Sequence, residues 1–416
     1  MERCFQTQLF CIAITGIAII SCIYSKRKQV MNYTQQFQLL KQAFDPGKEK
    51  IDFPGSDISC YMVNFESVSD TSILHEWHTN RKPGEESSNW SDDTILENRN
   101  FKYPVFMNAN HGKMKHAIIM LHGLNERSWV KYLVWAYYLA EHTGHPVILF
   151  PIAFHMNRSP ETWGNPRIMS DLLTQRKERL GDIPQATFVN VALSERLSDE
   201  PLRFYASGQQ SADDLVQLTR QLRSGEHPLF EKGTNVDFFS YSIGAFLSQI
   251  LFIGNPEGLY TDSRLFLFCG GALFDEMNGV SRLIMDQPAF RSLRDYYLFN
   301  FEKDAKRSDH LASSVYHTEL GLAFFSMLAE SNRRSYREKR LEDIGNKLYA
   351  LSLANDQVIP APYIYSTLHQ FSKVEVMDLA YPYSHEAPFP ILGNGQASLV
   401  DDGFNKIFAK AASFLA

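Results

Sequence analysis

A serine at position 242 lies where an apolar run gives way to a helical pattern. Residues 236–239 predict a buried strand, and apolar side chains recur at helical spacing over residues 246–251. Ser242 is therefore expected at the corner between strand and helix, where the small residues Gly244 and Ala245 allow close packing. A serine hydroxyl at such a corner can act as a nucleophile when a base lies beside it. The simpler interpretation, a structural Ser/Gly turn, stays open on the motif alone.

Two further polar residues could complete this chemistry, and each follows an apolar strand pattern. Asp356 comes after the run 348–353 and could accept a hydrogen bond from a histidine ring, fixing its tautomer. His385 lies in the loop after the run 374–379 and could act as a general base. Each has a simpler alternative, because Asp356 could cap a helix predicted over 360–369 and a loop histidine is commonly a surface residue.

The context of these residues resembles the α/β-hydrolase superfamily. Residues 240–244 read S-Y-S-I-G, which is similar to the nucleophile elbow G-x-S-x-G with a serine in place of the first glycine. The chain order Ser242, Asp356, His385 is the order expected for that fold. The resemblance implies that these three form a catalytic triad, with Asp275 as the alternative acid because some lipases place it after the sixth strand.

A second motif of the superfamily lies upstream. The predicted strand 116–121 runs into H-G-L-N, which resembles the loop after the third hydrolase strand, where backbone N–H groups supply half of the oxyanion hole. By this resemblance Leu124 and Ile243 donate the two N–H groups, and His122 and Gly123 are expected at the substrate. A His-Gly pair can also simply end a strand.

The loop 151–166 is expected to border the pocket. It follows the predicted strand 146–150, and loops at the carboxyl ends of parallel strands face the site in open α/β sheets. Arg158 within it could bind a substrate anion, or it could make a local hydrogen bond at the surface.

The resemblance implies an α/β-hydrolase fold, a mostly parallel eight-stranded sheet with helices on both faces and helical cap insertions. The strand, helix, strand order over 116–150 independently indicates a βαβ unit. We expect one hydrolase domain over 31–416, with a leader (31–115) that holds the first strands and a core with cap insertions (116–416).

Two segments are candidates for the cap. Residues 168–203 and 275–345 lie between core strands, and the second carries helical patterns. Between these segments a helix is predicted to begin at Ser207, with Ser211 as its candidate cap.

Composition excludes several classes of function. The chain has 416 residues and a formal charge of -6, so nothing suggests a nucleic-acid partner. Of its five cysteines three lie in the first 22 residues, with no CxxC spacing, so neither a disulfide framework nor a zinc site is indicated. Cys60 and Cys269 could in principle pair. No metal and no cofactor are expected.

The amino terminus predicts membrane association. Residues 9–24 are uncharged and apolar and are followed by a Lys-Arg-Lys cluster, and their 16 residues are short for a span but suit a signal sequence. Residues 19–22 read I-I-S-C, which fits a relaxed lipobox with Cys22 as the lipidated residue. A single signal anchor is the alternative, and the side of the membrane stays open. These predictions concern residues 1–30.

The mechanism that the resemblance implies is two-step acyl transfer from a small-molecule or lipid-like acyl substrate. A carboxylic ester is expected, while peptide, thioester and lactone cleavage stay open because no residue pattern encodes the acyl group. A different class also stays open, since the same fold serves as a catalytically silent binding protein.

Overall fold

The computed structural model describes residues 31–69, 74, 92–393 and 395–416. The predicted signal or anchor segment, residues 1–30, lies outside them. No helix within the described ranges combines the length and the apolar character needed to cross a membrane.

A single nine-stranded sheet forms the centre of the molecule, in the order β1-β2-β3-β5-β4-β6-β7-β8-β9. Its strands, in chain order, are β1 Lys50–Asp52, β2 Ile58–Glu66, β3 Asn100–Asn108, β4 Met114–Leu121, β5 Val147–Leu149, β6 Phe230–Tyr241, β7 Leu265–Phe268, β8 Leu348–Leu353 and β9 Lys373–Met377.

Most neighbouring strands run parallel. From β5 across to β9 every pair is parallel, whereas β1, β2 and β3 pair antiparallel and β3 joins β5 antiparallel. A mostly parallel sheet with a serine elbow after its central strand is the α/β-hydrolase fold, so the predicted fold class is confirmed. The sheet has one strand more than the eight expected, because the short β1 adds to the edge formed by β2.

Helices cover both faces of the sheet. They are α1 Tyr33–Ala43, α2 Val130–Thr143, α3 Pro166–Leu180, α4 Val191–Asp199, α5 Leu202–Ser224, α6 Ile243–Gly254, α7 Gln287–Asp295, α8 Phe301–Ala305, α9 Asp309–His317, α10 Glu319–Ser326, α11 Arg334–Ile344, α12 Ala361–Leu368 and α13 Ala397–Leu415, with a π-helical turn at Tyr296–Asn300.

The two faces are buried in separate cores because side chains alternate along each strand. On β6, Val236 and Phe238 pack in the core that includes residues of α5 and α6, while Phe239 and Tyr241 pack in the core that includes α2 and α13. Burial on both faces explains why the central strands read as continuous apolar runs.

The helix before the elbow strand begins earlier than predicted. It starts at Leu202 with Pro201 at its N-cap, so Ser211 lies inside the helix instead of capping it. The Ser211 hydroxyl donates to the Ser207 carbonyl and accepts from the Ala153 N–H. Leu202 and Tyr205 are buried in the core, and this burial explains the added first turn.

Candidate active site

The backbone turns sharply at Ser242, between β6 and α6. Its φ is 59° and its ψ is −121°, a conformation that non-glycine residues rarely adopt. Close packing allows little room around it: a Cβ on Gly244 would lie 2.6 Å from the Leu121 Cβ, and one on Gly270 would lie 2.3 Å from the Ala245 Cβ. These approaches explain why position 244 of the S-Y-S-I-G motif is glycine and why its neighbours Ala245 and Gly270 are small.

Ser242, His385 and Asp356 form a continuous chain of hydrogen bonds. The Ser242 Oγ lies 2.6 Å from His385 Nε2, and His385 Nδ1 lies 2.7 Å from Asp356 Oδ2. All three residues are buried. Since a carboxylate only accepts, the hydrogen bond to Asp356 uses a proton on Nδ1, and Nε2 faces the hydroxyl. This arrangement can remove a proton from the serine.

The Asp356 carboxylate is fixed by its own loop. Its other oxygen, Oδ1, accepts hydrogen bonds from the N–H groups of Val358 and Ile359, each at 2.9 Å. Asp356 does not cap the following helix, whose N-cap is Pro360. The alternative acid, Asp275, lies in the 3-10 turn Phe274–Glu276 and is hydrogen-bonded through its N–H to the Leu328 carbonyl. The structure thus brings Asp356 to His385, and Asp275 has no bond to that ring.

The histidine loop is held from the strand side. Tyr241, the residue before Ser242, donates its phenol O–H to the His385 carbonyl, and its ring stacks on the imidazole at 5.4 Å between centroids. Lys131 donates to the Glu386 carbonyl at 3.0 Å and pairs with Glu126. Sequence reasoning missed Tyr241 because its apolar neighbours made it look like one more core residue.

Two backbone N–H groups beside the apolar pocket have no acceptor among the described residues. Leu124 follows the His-Gly pair after β4, and Ile243 begins α6. Within the described part of the chain neither N–H donates to an acceptor, and both residues line the same pocket. Paired N–H donors of this kind can stabilise the negative oxygen of a tetrahedral intermediate.

His122 and Gly123 do not have the expected place at the substrate. His122 is fully buried; its Nε2 accepts from the Ile152 N–H at 2.9 Å, so its Nδ1 donates to the Gly123 carbonyl. Burial lowers the pKa of His122 well below its ordinary value, which keeps the ring neutral. The Gly123 N–H donates to the Tyr132 phenol oxygen. Both residues fix the loop and leave no polar group for a ligand.

The expectation that Arg158 binds a substrate anion is also wrong. Its side chain is fully buried, pairs with Asp214 at 2.7 Å and donates to the carbonyls of Asn98 and Pro151. Burial lowers the pKa of Arg158 and raises that of Asp214, while their mutual attraction opposes both shifts. With its donors satisfied inside the protein, Arg158 ties its loop to α5.

An apolar pocket opens beside Leu124 and Ile243, with a volume of about 120 Å³. Its wall is formed mainly by side chains of α5, α6 and α10, including Phe204, Phe246, Leu247, Ile250 and Phe324. Such a pocket suits a hydrocarbon group attached to a carbonyl at Ser242. Among the described residues no cluster of side chains could hold a metal ion.

The two described cysteines, Cys60 and Cys269, are buried free thiols and do not pair with each other. Cys269 follows β7 near Asp356. Burial raises the pKa of its thiol well above the ordinary value, and the Asp356 charge adds to that rise.

A family model described as a family of unknown function (DUF6051) matches residues 31–416. No curated protein matches the sequence. Among solved structures, the chain is similar to a mutant of the esterase Est22, at 11% identity and a TM-score of 0.45 over 91% of this chain and 85% of that one.

Two further similar structures have lower TM-scores. A cold-adapted esterase from an Arctic intertidal metagenomic library matches at 9% identity and a TM-score of 0.38, over 86% of this chain and 93% of that one. The peroxisomal alpha-beta-hydrolase Lpx1 from Saccharomyces cerevisiae matches at 10% identity and a TM-score of 0.38, over 86% of this chain and 90% of that one. The strand order and the elbow at Ser242 define the fold.

Proposed function

The chain belongs to DUF6051, a family of unknown function, and we propose that it is a serine hydrolase that cleaves a carboxylic ester by acyl transfer. The observation that carries this proposal is the hydrogen-bonded chain from Ser242 Oγ through His385 to Asp356, at 2.6 and 2.7 Å. The strained backbone of Ser242 and the free N–H groups of Leu124 and Ile243 support it.

In the first step the Ser242 oxygen attacks the ester carbonyl carbon while its proton passes to His385 Nε2. The carbonyl oxygen becomes negative and accepts hydrogen bonds from the N–H groups of Leu124 and Ile243. Collapse of this intermediate breaks the bond to the alcohol oxygen, which takes the proton from His385. The acyl group is then esterified to Ser242, and Asp356 stabilises the imidazolium during the transfer.

In the second step water attacks the acyl-enzyme. His385 removes a proton from the water, the same two N–H groups stabilise the second tetrahedral oxyanion, and the Ser242 oxygen leaves with the proton. The carboxylic acid is released and the enzyme returns to its starting state. We assign no role to a cofactor, because every proton transfer uses a group of the chain itself.

An ester with an apolar acyl group is the substrate class that the pocket favours. The wall beside Ile243 presents the phenylalanines of three helices, and apolar surface removed from water contributes roughly 25 cal/mol per Å². A small-molecule or lipid-like acyl chain fits this lining.

Labelling with a fluorophosphonate probe followed by peptide mapping tests the proposal. An activated serine attacks the phosphorus, displaces fluoride and stays phosphonylated, so we expect one modified peptide containing Ser242. A folded protein that stays unlabelled, or labels elsewhere, would favour a catalytically silent binding protein instead.

We also propose that the protein is membrane-associated through residues 1–24, on the basis of the apolar run that ends beside Cys22. Cell fractionation of the natural chain and of Cys22→Ser, with intact-mass measurement, tests this. Loss of membrane attachment in Cys22→Ser would indicate lipidation, and a protein with residues 1–24 retained that stays in the soluble fraction would contradict the proposal.

A further inference from the structure

Three arginines line a second, smaller pocket beside the Leu124 amide, and we call it the arginine pocket. They are Arg127, Arg196 and Arg203, and the pocket has a volume of about 30 Å³. Leu124, His155, Phe204 and Ser207 line both this pocket and the apolar one. Since we propose the Leu124 N–H as an oxyanion donor, a substrate whose carbonyl lies at Ser242 is within reach of both pockets.

Aromatic rings hold two of the guanidinium groups. The guanidinium carbon of Arg196 lies 4.6 Å from the centre of the Trp163 ring and 4.5 Å from that of Phe154, and that of Arg127 lies 5.6 Å from Trp163. Stacking on a ring face leaves the edge of a guanidinium, where its N–H groups lie, free for acceptors.

These arginines differ in how their charge is balanced. Arg196 pairs with Asp92 at 2.7 Å, and Arg203 lies 3.6 Å from Asp199. Arg127 has no carboxylate within 4 Å in the described part of the chain, and its Nη2 donates only to the amide oxygen of Asn125.

Several guanidinium donors have no acceptor. Across the described ranges Nε and Nη1 of Arg127 and Nε of Arg196 are buried and unbonded. Leaving a buried charged donor unsatisfied is costly, so such groups normally meet a carboxylate or phosphate. Burial, together with the charge of Arg196, lowers the pKa of Arg127 to about 10, so the guanidinium still carries its charge at neutral pH.

Among the described residues no nearby acid takes that role. Glu126 also lines the arginine pocket, but Lys131 pairs with its carboxylate and the Tyr132 phenol donates to it. The volume would hold two or three waters at roughly 10–15 Å³ each, which suits a carboxylate better than a larger phosphoryl group.

We propose that the arginine pocket binds a carboxylate carried by the ester, so that the preferred substrate is an ester with a free carboxylate on its acyl or alcohol part. This rests on the proposed function, because the carboxylate is recognised while the ester carbonyl lies at Ser242. Arg127 makes the main contact through its unbonded guanidinium N–H groups, and Arg196 adds a further donor.

Two pairs of matched esters test the proposal. Mono-(4-nitrophenyl) glutarate and its methyl-capped diester differ only in a carboxylate on the acyl side, and 4-carboxyphenyl butyrate and its methyl ester differ on the alcohol side. We expect the natural enzyme to have at least a tenfold higher kcat/KM for the carboxylate form in one pair. In Arg127→Gln that ratio should fall about tenfold, because a charge-assisted bond is lost.

Arg167→Gln is the matched control, since Arg167 is exposed on α3 and makes the same change of charge outside the pocket. Its ratio should equal that of the natural enzyme. A kcat/KM ratio near or below one in both pairs would overturn the carboxylate site, and so would an equal fall of the ratio in Arg167→Gln. In either case, hydrolysis of the capped esters would still support the proposed serine hydrolase activity. Failure of the folded enzyme to cleave any ester would instead count against the proposed function.

Calorimetric titration with glutarate tests the arginine pocket without turnover. We expect saturable binding to the natural protein and about tenfold weaker binding to Arg127→Gln. Arg127→Lys keeps the charge but lacks the planar guanidinium, so its affinity should lie between the two. It replaces Arg127→Gln in the test if that variant does not fold. Equal affinity in all three proteins, or no binding at millimolar glutarate, would contradict the proposal.

Discussion

The phenol of Tyr241 donates its hydrogen bond to the backbone carbonyl of His385, so the residue before the nucleophile holds the loop that carries the base. The two rings also stack, with their planes 19° apart. A single strand end thereby positions both partners of the Ser242–His385 hydrogen bond.

Replacing Tyr241 with phenylalanine should lower kcat by about three- to tenfold and destabilise the protein by ~1 kcal/mol, the usual value of one buried hydrogen bond. The cause is a less restrained histidine loop. Steady-state kinetics with 4-nitrophenyl butyrate and urea unfolding measure the two effects. Tyr103→Phe is the control, because its phenol bonds to His227 and not to the histidine loop; an equal loss of kcat there would contradict the positioning role.

Asparagine in place of Asp356 should lower kcat by roughly 10³- to 10⁴-fold, because an amide can leave His385 in the wrong tautomer. Asp275→Asn, which changes an acid outside the hydrogen-bonded chain, should alter kcat by less than threefold. Steady-state kinetics of the two folded variants measure these effects. If Asp275→Asn lost more activity than Asp356→Asn, the acid of the triad would be Asp275, in the loop after β7.

Alanine at position 244 should destabilise the fold by ~1–3 kcal/mol, as overpacking does, because its Cβ would approach both Leu121 and the His122 carbonyl within 3 Å. Gly208→Ala provides the contrast. A Cβ there meets nothing within 4 Å inside α5, so that variant should be stabilised by ~0.5–1 kcal/mol. Urea unfolding of both variants measures the difference, and equal stability of the two would contradict the tight elbow.

The free energy of unfolding should fall as the pH is lowered from about 6.5 towards 4. Burial lowers the pKa of His155 to about 4, so below the ordinary histidine value of 6.5 the unfolded chain binds a proton that the folded one excludes. Stability contributed by this neutral ring is present above pH 6.5 and lost on acidification, by about 3 kcal/mol in total at 1.36 kcal/mol per pKa unit.

His155→Asn isolates that contribution. Its amide can still donate to the Ala153 carbonyl, which His155 Nδ1 now contacts at 2.9 Å, but it does not titrate. Urea unfolding between pH 4 and 7 should give a flatter pH dependence in the variant. If the free energy of unfolding of the two proteins depended on pH in the same way, His155 would bind its proton equally well in the folded and in the unfolded chain. That result would contradict the prediction.

Strand ends made part of the site predictable. Ser242, Asp356 and His385 each come after a strand that the sequence predicts, and because parallel strands place their carboxyl ends at one edge, such residues meet in space. The fold class could be predicted for the same reason, since buried parallel strands have a strong apolar signal.

Long-range partners could not be predicted in this way. Arg158 looked like a ligand for an anion because its acceptors, Asp214 and the Asn98 carbonyl, lie about 60 residues away in the chain. The position of Arg127 near the site could have been predicted from the sequence, because Arg127 lies in the same loop after β4 as Leu124. The position of Arg196 could not, since it lies on a cap helix whose placement depends on tertiary packing.

The most direct test of the central claim is kcat/KM for 4-nitrophenyl butyrate of the purified natural enzyme and of Ser242→Ala. Ser248→Ala is the control, because its hydroxyl donates to the Ala245 carbonyl within α6 and faces no reacting group. If Ser242 is the nucleophile, the natural enzyme and Ser248→Ala hydrolyse the ester, while the folded Ser242→Ala protein is slower by at least about 10⁴-fold. A folded Ser242→Ala enzyme that kept a tenth of the natural kcat/KM would contradict it.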